Sequence, residues 1–328
     1  MPRVASSKPI ATIEDFLSAV TEGVQGAIRP HWFLSPVSDG NKGRWYYRGQ
    51  PFSWKLIPSV GAPKEYGGAE AGHLLKVLPG EKRSTEYNLF NRFQRYAYEY
   101  LRLSNASATV AEWEALFLAR HWELPTRLLD WSQSPLVALY FALDAEKPLL
   151  GEEGAVWGFN FVQTRSNWVD PFTATWTPVP RRPLGPSAPK AVRLVFPVYN
   201  SERLVAQKGV FTWHSHPAED ASKYPYSSHL AFKQLLRLRI APADEAVRRK
   251  LIQDLDRLGV NQRTIFPDIG GITKGLWQRE VLFEGDRLSK DRRFLSRAAV
   301  FDKLPARQKD ALITAIDTVL RKARKSKP

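Results

Sequence analysis

The chain has 328 residues, 48 Lys and Arg against 33 Asp and Glu, a formal net charge of +15, no cysteine and 12% aromatic residues. With 43% hydrophobic residues it can bury a sizeable core, so a disordered chain is excluded. The absence of cysteine excludes a disulfide scaffold, a thiolate zinc site, an iron–sulfur cluster and a cysteine nucleophile.

No run of eighteen apolar residues occurs and the first residues lack the apolar core of a secretory signal, so a cytoplasmic protein without a membrane partner is expected. From Asp286 to Pro328 there are 13 Lys and Arg against 5 Asp and Glu, which is about half of the surplus charge. That balance favours an anionic partner, a nucleotide or nucleic acid; a solvated surface with a solubilising tail explains it equally well.

In chain order, the sequence predicts a helix opened by Thr12 as N-cap with Ile13, Phe16, Leu17 and Val20 as its apolar stripe. An aromatic strand follows over 42–49, then an apolar-anchored loop over 51–58. Helices are predicted over 85–102, 111–121 and 135–145, the last with Pro135 in its first turn. Strands are predicted over 155–162, 194–198, 209–214 and 235–240, and helices over 244–258 and 304–325. The segment 164–190 carries six prolines and reads as a loop insertion. Helices and strands mix without a regular βαβ rhythm. The fold class is therefore α+β, a mixed or antiparallel sheet flanked by helices. The expected organisation is a helical lead over 1–40, a main domain over 41–284 and a basic helical extension over 285–328.

The common catalytic signatures are missing: no Gly-x-x-x-x-Gly-Lys-Ser/Thr, no Gly-x-Gly-x-x-Gly, no His-Glu-x-x-His and no Gly-x-Ser-x-Gly. His214 and His216 could share a strand face, but no carboxylate beyond Glu219 and Asp220 accompanies them, and no metal is expected. Three clusters set polar residues among apolar ones. In Trp45-Tyr46-Tyr47-Arg48-Gly49-Gln50 an arginine closes an aromatic strand and must snorkel or meet a buried anion, and Gly49 leaves room for a ligand or a backbone. Between two apolar helices stand His121, Thr126, Arg127, Asp130 and Ser132. Arg127 and Asp130 could pair and fix a helix–loop–helix connection, and Asp130 or Ser132 could cap the next helix. In Arg203 to Trp213, Gln207 precedes Gly209 in what reads as a ligand-facing turn, or as a buried amide satisfying backbone groups.

Read together, Tyr47-Arg48-Gly49, Trp54-x-Leu-Ile-Pro58 and Arg120-His121-x-x-Leu124-Pro125-Thr126-Arg127-Leu-Leu-Asp130-Trp131-Ser132-x-Ser134-Pro135 running into Tyr140-Phe141-Ala142 resemble the FRG domain family. Arg203-x-x-x-Gln207-x-Gly209-x-Phe211 and Thr264-Ile-Phe266-Pro-Asp268-Ile-Gly-Gly-Ile-Thr-Lys274 look like the same family, extending the likeness from Trp45 to Leu276. Its members usually carry glycine where Trp122-Glu123 stand here.

At a distance the layout is similar to ADP-ribosyltransferases, and the resemblance implies such a fold, with NAD as cofactor and a toxin or phage-defence role. By that likeness Arg48 would hold the NAD phosphates or ribose, with Gly49, Ser132, Tyr140 and Phe211 around the cofactor. Thr126 or Ser132, with Tyr140, would border the nicotinamide, Gln207 would take the late polar position, and His121, Arg127 and Asp130 would complete the catalytic group. Where Glu normally steadies an oxocarbenium ion, Gln207 has no charge, so Glu202, Glu219 or Glu123 would have to enter. Three other functions compete: a non-catalytic nucleic-acid binder using Arg321, Lys322, Arg324 and Lys325 with exposed aromatics, a hydrolase with His121 as base oriented by Asp130, and a protein-interaction module.

Overall fold

The structure, a computed structural model, describes residues 3–4, 9–25, 44–51, 55–62, 84–101, 108–143, 153–161, 168–169, 183–184, 191–197, 201–224, 234–240 and 244–279. Two compact units divide the chain, Met1–Ile272 and Thr273–Pro328. The expected basic helix over 304–325, Arg321, Lys322, Arg324 and Lys325, and most of the proline-rich segment lie outside the described residues.

The strands are β1 (Arg3–Val4), β2 (Arg44–Gln50), β3 (Leu128–Ser132), β4 (Gly154–Phe161), β5 (Trp168–Val169), β6 (Val192–Val195), β7 (Gly209–His214) and β8 (Gln234–Ile240). They form one sheet in the order β1-β8-β4-β2-β3-β7-β6-β5. The six central strands are antiparallel, and parallel pairings of β1 with β8 and of β5 with β6 close the edges. The helices are α1 (Ile13–Gln25), α2 (Thr85–Tyr96), α3 (Ala108–His121), α4 (Pro135–Ala142), α5 (Glu202–Ala206), α6 (Glu245–Arg257), α7 (Gln262–Ile265) and α8 (Ile269–Arg279). The class is α+β. None of the described helices is long and apolar enough to cross a membrane.

Directly opposed residues of neighbouring strands share a face of the sheet. One face carries Tyr46, Trp131, Phe159, Val192, Leu194 and Val210, and Leu56 and Ala221 pack into that cluster. The other carries Leu128, Phe211 and Trp213 against Trp113, Leu116 and Phe117 of α3 and Phe90 of α2. On this helical face α4 lies directly on β2. A Cβ built on Gly49 would stand 1.8 Å from the Ala138 carbonyl oxygen and 2.6 Å from the Ala142 nitrogen. The glycine of the Tyr-Arg-Gly motif thus admits a backbone.

The helix starts follow their capping signals. Thr12 Oγ1 accepts from the Asp15 amide at 3.1 Å, and Ser134 Oγ accepts from the Val137 amide at 3.4 Å. Ser134 caps α4, in place of the expected Asp130 or Ser132. The stripe of α1 is narrower than expected, with Phe16 and Val20 buried and Leu17 exposed.

The largest departure is β3. The stretch after Pro125, expected as a loop between helices, is a central strand. Leu128, Leu129, Trp131 and Ser132 are buried on its two faces, so no period-two pattern shows in the sequence. Helices α5, α7 and α8 are further elements that the sequence does not predict, α5 leading into the expected turn at Gln207.

Gly49→Ala is expected to lower stability by about 3 kcal/mol or to prevent folding, because the backbone of α4 at Ala138 and Ala142 cannot give way. Urea unfolding monitored by tryptophan fluorescence measures this.

Candidate functional site

The two central strands, β2 and β3, share one register pair, Tyr47 opposite Ser132. Beyond it they part, and the Asp130 carbonyl, which a ladder amide would otherwise serve, accepts from Arg48 Nη1 at 2.8 Å. The same guanidinium lies 3.5 Å from the Asp130 carboxylate. From the last turn of α3, Arg120 grips that carboxylate through Nε at 3.1 Å and Nη2 at 2.6 Å. Two guanidiniums therefore share one carboxylate, whose side chain is 43% exposed. Arg120 Nη1 also donates to Ser59 Oγ at 3.4 Å, and Ser59 Oγ accepts from the Thr126 amide at 3.2 Å. Buried Thr126 ties the loop over 55–62 to the entrance of β3: its carbonyl accepts from the Val60 amide and its Oγ1 from the Leu128 amide.

The charges shift as this geometry demands. Burial pushes the Arg48 guanidinium down to about 10, Asp130 opposing and Arg120 assisting, so it remains a cation at neutral pH. Loss of water raises the Asp130 carboxyl, but Arg120 and then Arg48 outweigh it and hold the group below the usual carboxylate range. Burial alone would lower Arg120; Asp130 and Glu123 reverse that.

The expected Arg127–Asp130 pair does not form. The reach of α3 gives Asp130 to Arg120, and Arg127, just ahead of β3, turns to Glu86 at the start of α2. That pair is bidentate, 2.8 and 2.5 Å, with both side chains buried. Arg127 Cζ lies 5.8 Å from the Trp213 ring centroid and Arg193 Cζ 5.7 Å. Removing either member of such a pair strands a buried charge at a cost of about 3–5 kcal/mol, which gives Arg127 a structural task.

His121 stands in another setting. Its Nε2 and Nδ1 are not directed by Asp130; burial and then Arg203 lower its pKa, with Asp268 opposing. Arg203 donates to Asp268 at 2.9 Å and stacks 4.7 Å from the Phe266 centroid, which joins the two late sequence motifs. Gln207 Nε2 donates to the Ile265 carbonyl at 3.4 Å, and its backbone carbonyl accepts from Ser132 Oγ at 2.7 Å. The turn after it places positive φ on Lys208, not on Gly209.

Tyr140 Oη donates to Gln262 Oε1 at 2.5 Å. Phe211, opposite Asp130 on β7, is buried and stacked on Phe117 at 5.3 Å. Of the residues expected at a site, Arg48, Thr126 and Asp130 come together; His121 and Gln207 lie around the Arg203–Asp268 pair, and Arg127, Tyr140 and Phe211 have other partners.

A family model described as the FRG domain matches residues 43–149. The chain contains an FRG domain. The match holds β2, α3, β3 and α4, and so all three members of the Arg48–Asp130–Arg120 group. It ends before the Arg203–Gln207 and Phe266–Asp268 segments, short of the expected reach to Leu276. Neither a curated protein nor a solved structure matches the chain.

Two residues of the candidate site, Arg120 and Ser59, carry no clear signal in the sequence, and neither does Glu86, the buried partner of Arg127. Arg120 stood beside His121 in the quoted motif, but a cation in the last turn of a helix is ordinary dipole chemistry.

His214 is fully buried, with Nε2 2.9 Å from Thr212 Oγ1, which also accepts from Trp131 Nε1 at 2.9 Å. Among the described residues no group of three His, Asp or Glu gathers as metal ligands. Burial, and then Arg48 and Arg127, push His214 down to about 3. A histidine so depressed stays neutral when folded but protonates near 6.5 when unfolded, so the unfolded state binds the extra proton between those values. Stability is therefore expected to fall by about 1.4 kcal/mol per pH unit as pH drops from about 6.5 toward 3, on top of what Asp130 loses. Urea titrations at several pH values should show this slope reduced by one proton in His214→Gln.

Proposed function

We propose that the FRG domain binds an NAD-type nucleotide through Arg48 and Arg120, and that the protein uses it to modify a macromolecule in the manner of an ADP-ribosyltransferase, in a toxin or phage-defence setting. The observation that carries this reading is the half-exposed Asp130 carboxylate held between two cations. Both guanidiniums are tied to this one carboxylate, and a phosphate can join or replace it as a bidentate partner of either. The family resemblance adds the expectation that the arginine of the Tyr-Arg-Gly motif grips the nucleotide.

Transfer chemistry needs negative charge near the sugar, and Gln207 supplies none. A phosphate drawing Arg120 away would release Asp130 for that part. The expected outcome is that NAD raises the melting temperature of the purified protein and that Arg48→Ala, which leaves Asp130 its Arg120 partner, binds at least about tenfold more weakly while staying folded. Nicotinamide release, measured with protein and nucleic-acid acceptors, reads the transfer. No thermal shift and no release with either acceptor overturns the reading.

A second reading, a nucleic-acid binder, draws on a different surface. Tyr96, Tyr98 and Tyr100 are 88%, 70% and 76% exposed at the end of α2, beside exposed Arg92 and Arg95. Exposed tyrosines can stack on unpaired bases at about 1–3 kcal/mol each, while the arginines meet phosphate. Filter binding of a single-stranded oligonucleotide is expected to fall at least about tenfold when the three tyrosines become alanine. Its log–log salt slope should shrink on removal of 321–327. No binding at low salt excludes this reading.

A further inference from the structure

Helix α3 ends in a way its sequence does not favour. The Leu124 amide donates to the Ala119 carbonyl at 2.9 Å and the Glu123 amide to the Arg120 carbonyl at 3.1 Å, the double closure of a Schellman turn. The turn requires a left-handed residue, and Glu123 occupies it at φ 63. Helix α6 closes in the same way, with the Val260 amide on the Leu255 carbonyl, and there the left-handed residue is Gly259 at φ 78. Glycine avoids the Cβ strain; the end of α3 keeps a carboxylate instead.

What that corner carries makes the strain informative. Trp122 is 70% exposed, its indole edge-on to the His121 ring at 5.3 Å, so its outer face is open. Glu123 is exposed, and its charge acts on Arg120, the residue that holds Asp130. Within four residues, 120–123, the chain thus presents a phosphate-capable guanidinium, a flat aromatic face and an acceptor-only carboxylate. A nucleotide has the complementary parts: phosphate, planar base and a vicinal diol that donates two hydrogen bonds.

We propose that Trp122 and Glu123 form a nucleoside-binding lip of the Arg48–Asp130–Arg120 site. The base stacks on Trp122, the ribose hydroxyls donate to the Glu123 carboxylate, and the phosphate meets the guanidiniums. This rests on the nucleotide reading above and names residues which that reading does not use. The strain at Glu123 is then the cost of placing a carboxylate where the turn favours glycine.

Isothermal titration of the full-length protein with AMP, 2′,3′-dideoxy-AMP and inorganic phosphate tests it, together with the melting temperature of each ligand-free variant. Glu123→Gly is expected to melt about 2–4 °C higher than wild type, because it relieves the strain, yet to bind AMP at least about tenfold more weakly. Glu123→Gln should melt like wild type and lose the same preference for AMP over the dideoxy analogue. Trp122→Ala should weaken AMP and leave inorganic phosphate unchanged. If both Glu123 variants hold AMP as wild type does, or if wild type does not distinguish AMP from its dideoxy analogue, the lip is wrong while the phosphate site stands. If wild type binds neither AMP nor NAD, or Arg48→Ala binds as well as wild type, the nucleotide reading fails and takes the lip with it.

Discussion

Where β2 and β3 stop pairing, the sheet has a backbone acceptor without a ladder partner, and a guanidinium fills the vacancy. Arg48 Nη1 donates to the Asp130 carbonyl and lies beside the carboxylate of the same residue, so one side chain bridges the seam. Arg120 then fixes that carboxylate from α3, and through Ser59 and Thr126 the loop over 55–62 is drawn onto the same point. Sheet, helix and loop are registered to one another by a single acid. Charge-assisted bonds of this kind are about twice as strong as neutral ones, and the site and the fold share them. That is also why Gly49 matters next door. The strand that carries Arg48 is seated by a helix backbone lying on the following residue.

The elements legible in the amino-acid sequence are those whose signals are local. Capping residues and one-sided stripes are read from a few neighbouring side chains, and so Thr12 and Pro135 announced their elements. β3 did not. A strand buried on both faces has no alternation, and Leu128-Leu129-Asp130-Trp131 between two helices is indistinguishable from a connector. Pairing of charges is less local still. Arg127 and Asp130 are three apart, which would suit a helix; here Arg127 stands just ahead of β3 and Asp130 within it, and they find partners 41 and 10 residues away. Arg48 and Asp130 were legible as polar residues in apolar settings. Glu86 and Ser59 were not, because nothing in their own neighbourhoods marks them.

The surplus charge also divides by place. Some of it is spent inside the first compact unit: Arg48, Arg120, Arg127 and Arg203 all hold carboxylates. Arg193 does not. It is buried beside Trp213, its Nε and Nη1 have no hydrogen-bond partner among the described residues, and burial lowers its pKa. A guanidinium is less strongly hydrated than an ammonium and tolerates an aromatic neighbour, which makes this burial less costly than it would be for lysine.

The chemistry open to the seam is limited by how its groups are already engaged. His214 lies close enough to Arg48 and Arg127 to feel both charges, and it is buried and neutral, so it cannot exchange protons with solvent near neutrality. His121 answers to Arg203 and Asp268, a different pair. Asp130 is ionised but bound on both sides. Among the described residues of the seam, the resting arrangement therefore leaves no ready general base, while two guanidiniums converge on one half-exposed carboxylate. If the protein catalyses a transfer, the incoming anion must itself change the arrangement, by taking a guanidinium from Asp130 and freeing its carboxylate. Binding would then assemble the charge that the reaction needs, and the carboxylate would be available only when the ligand is in place.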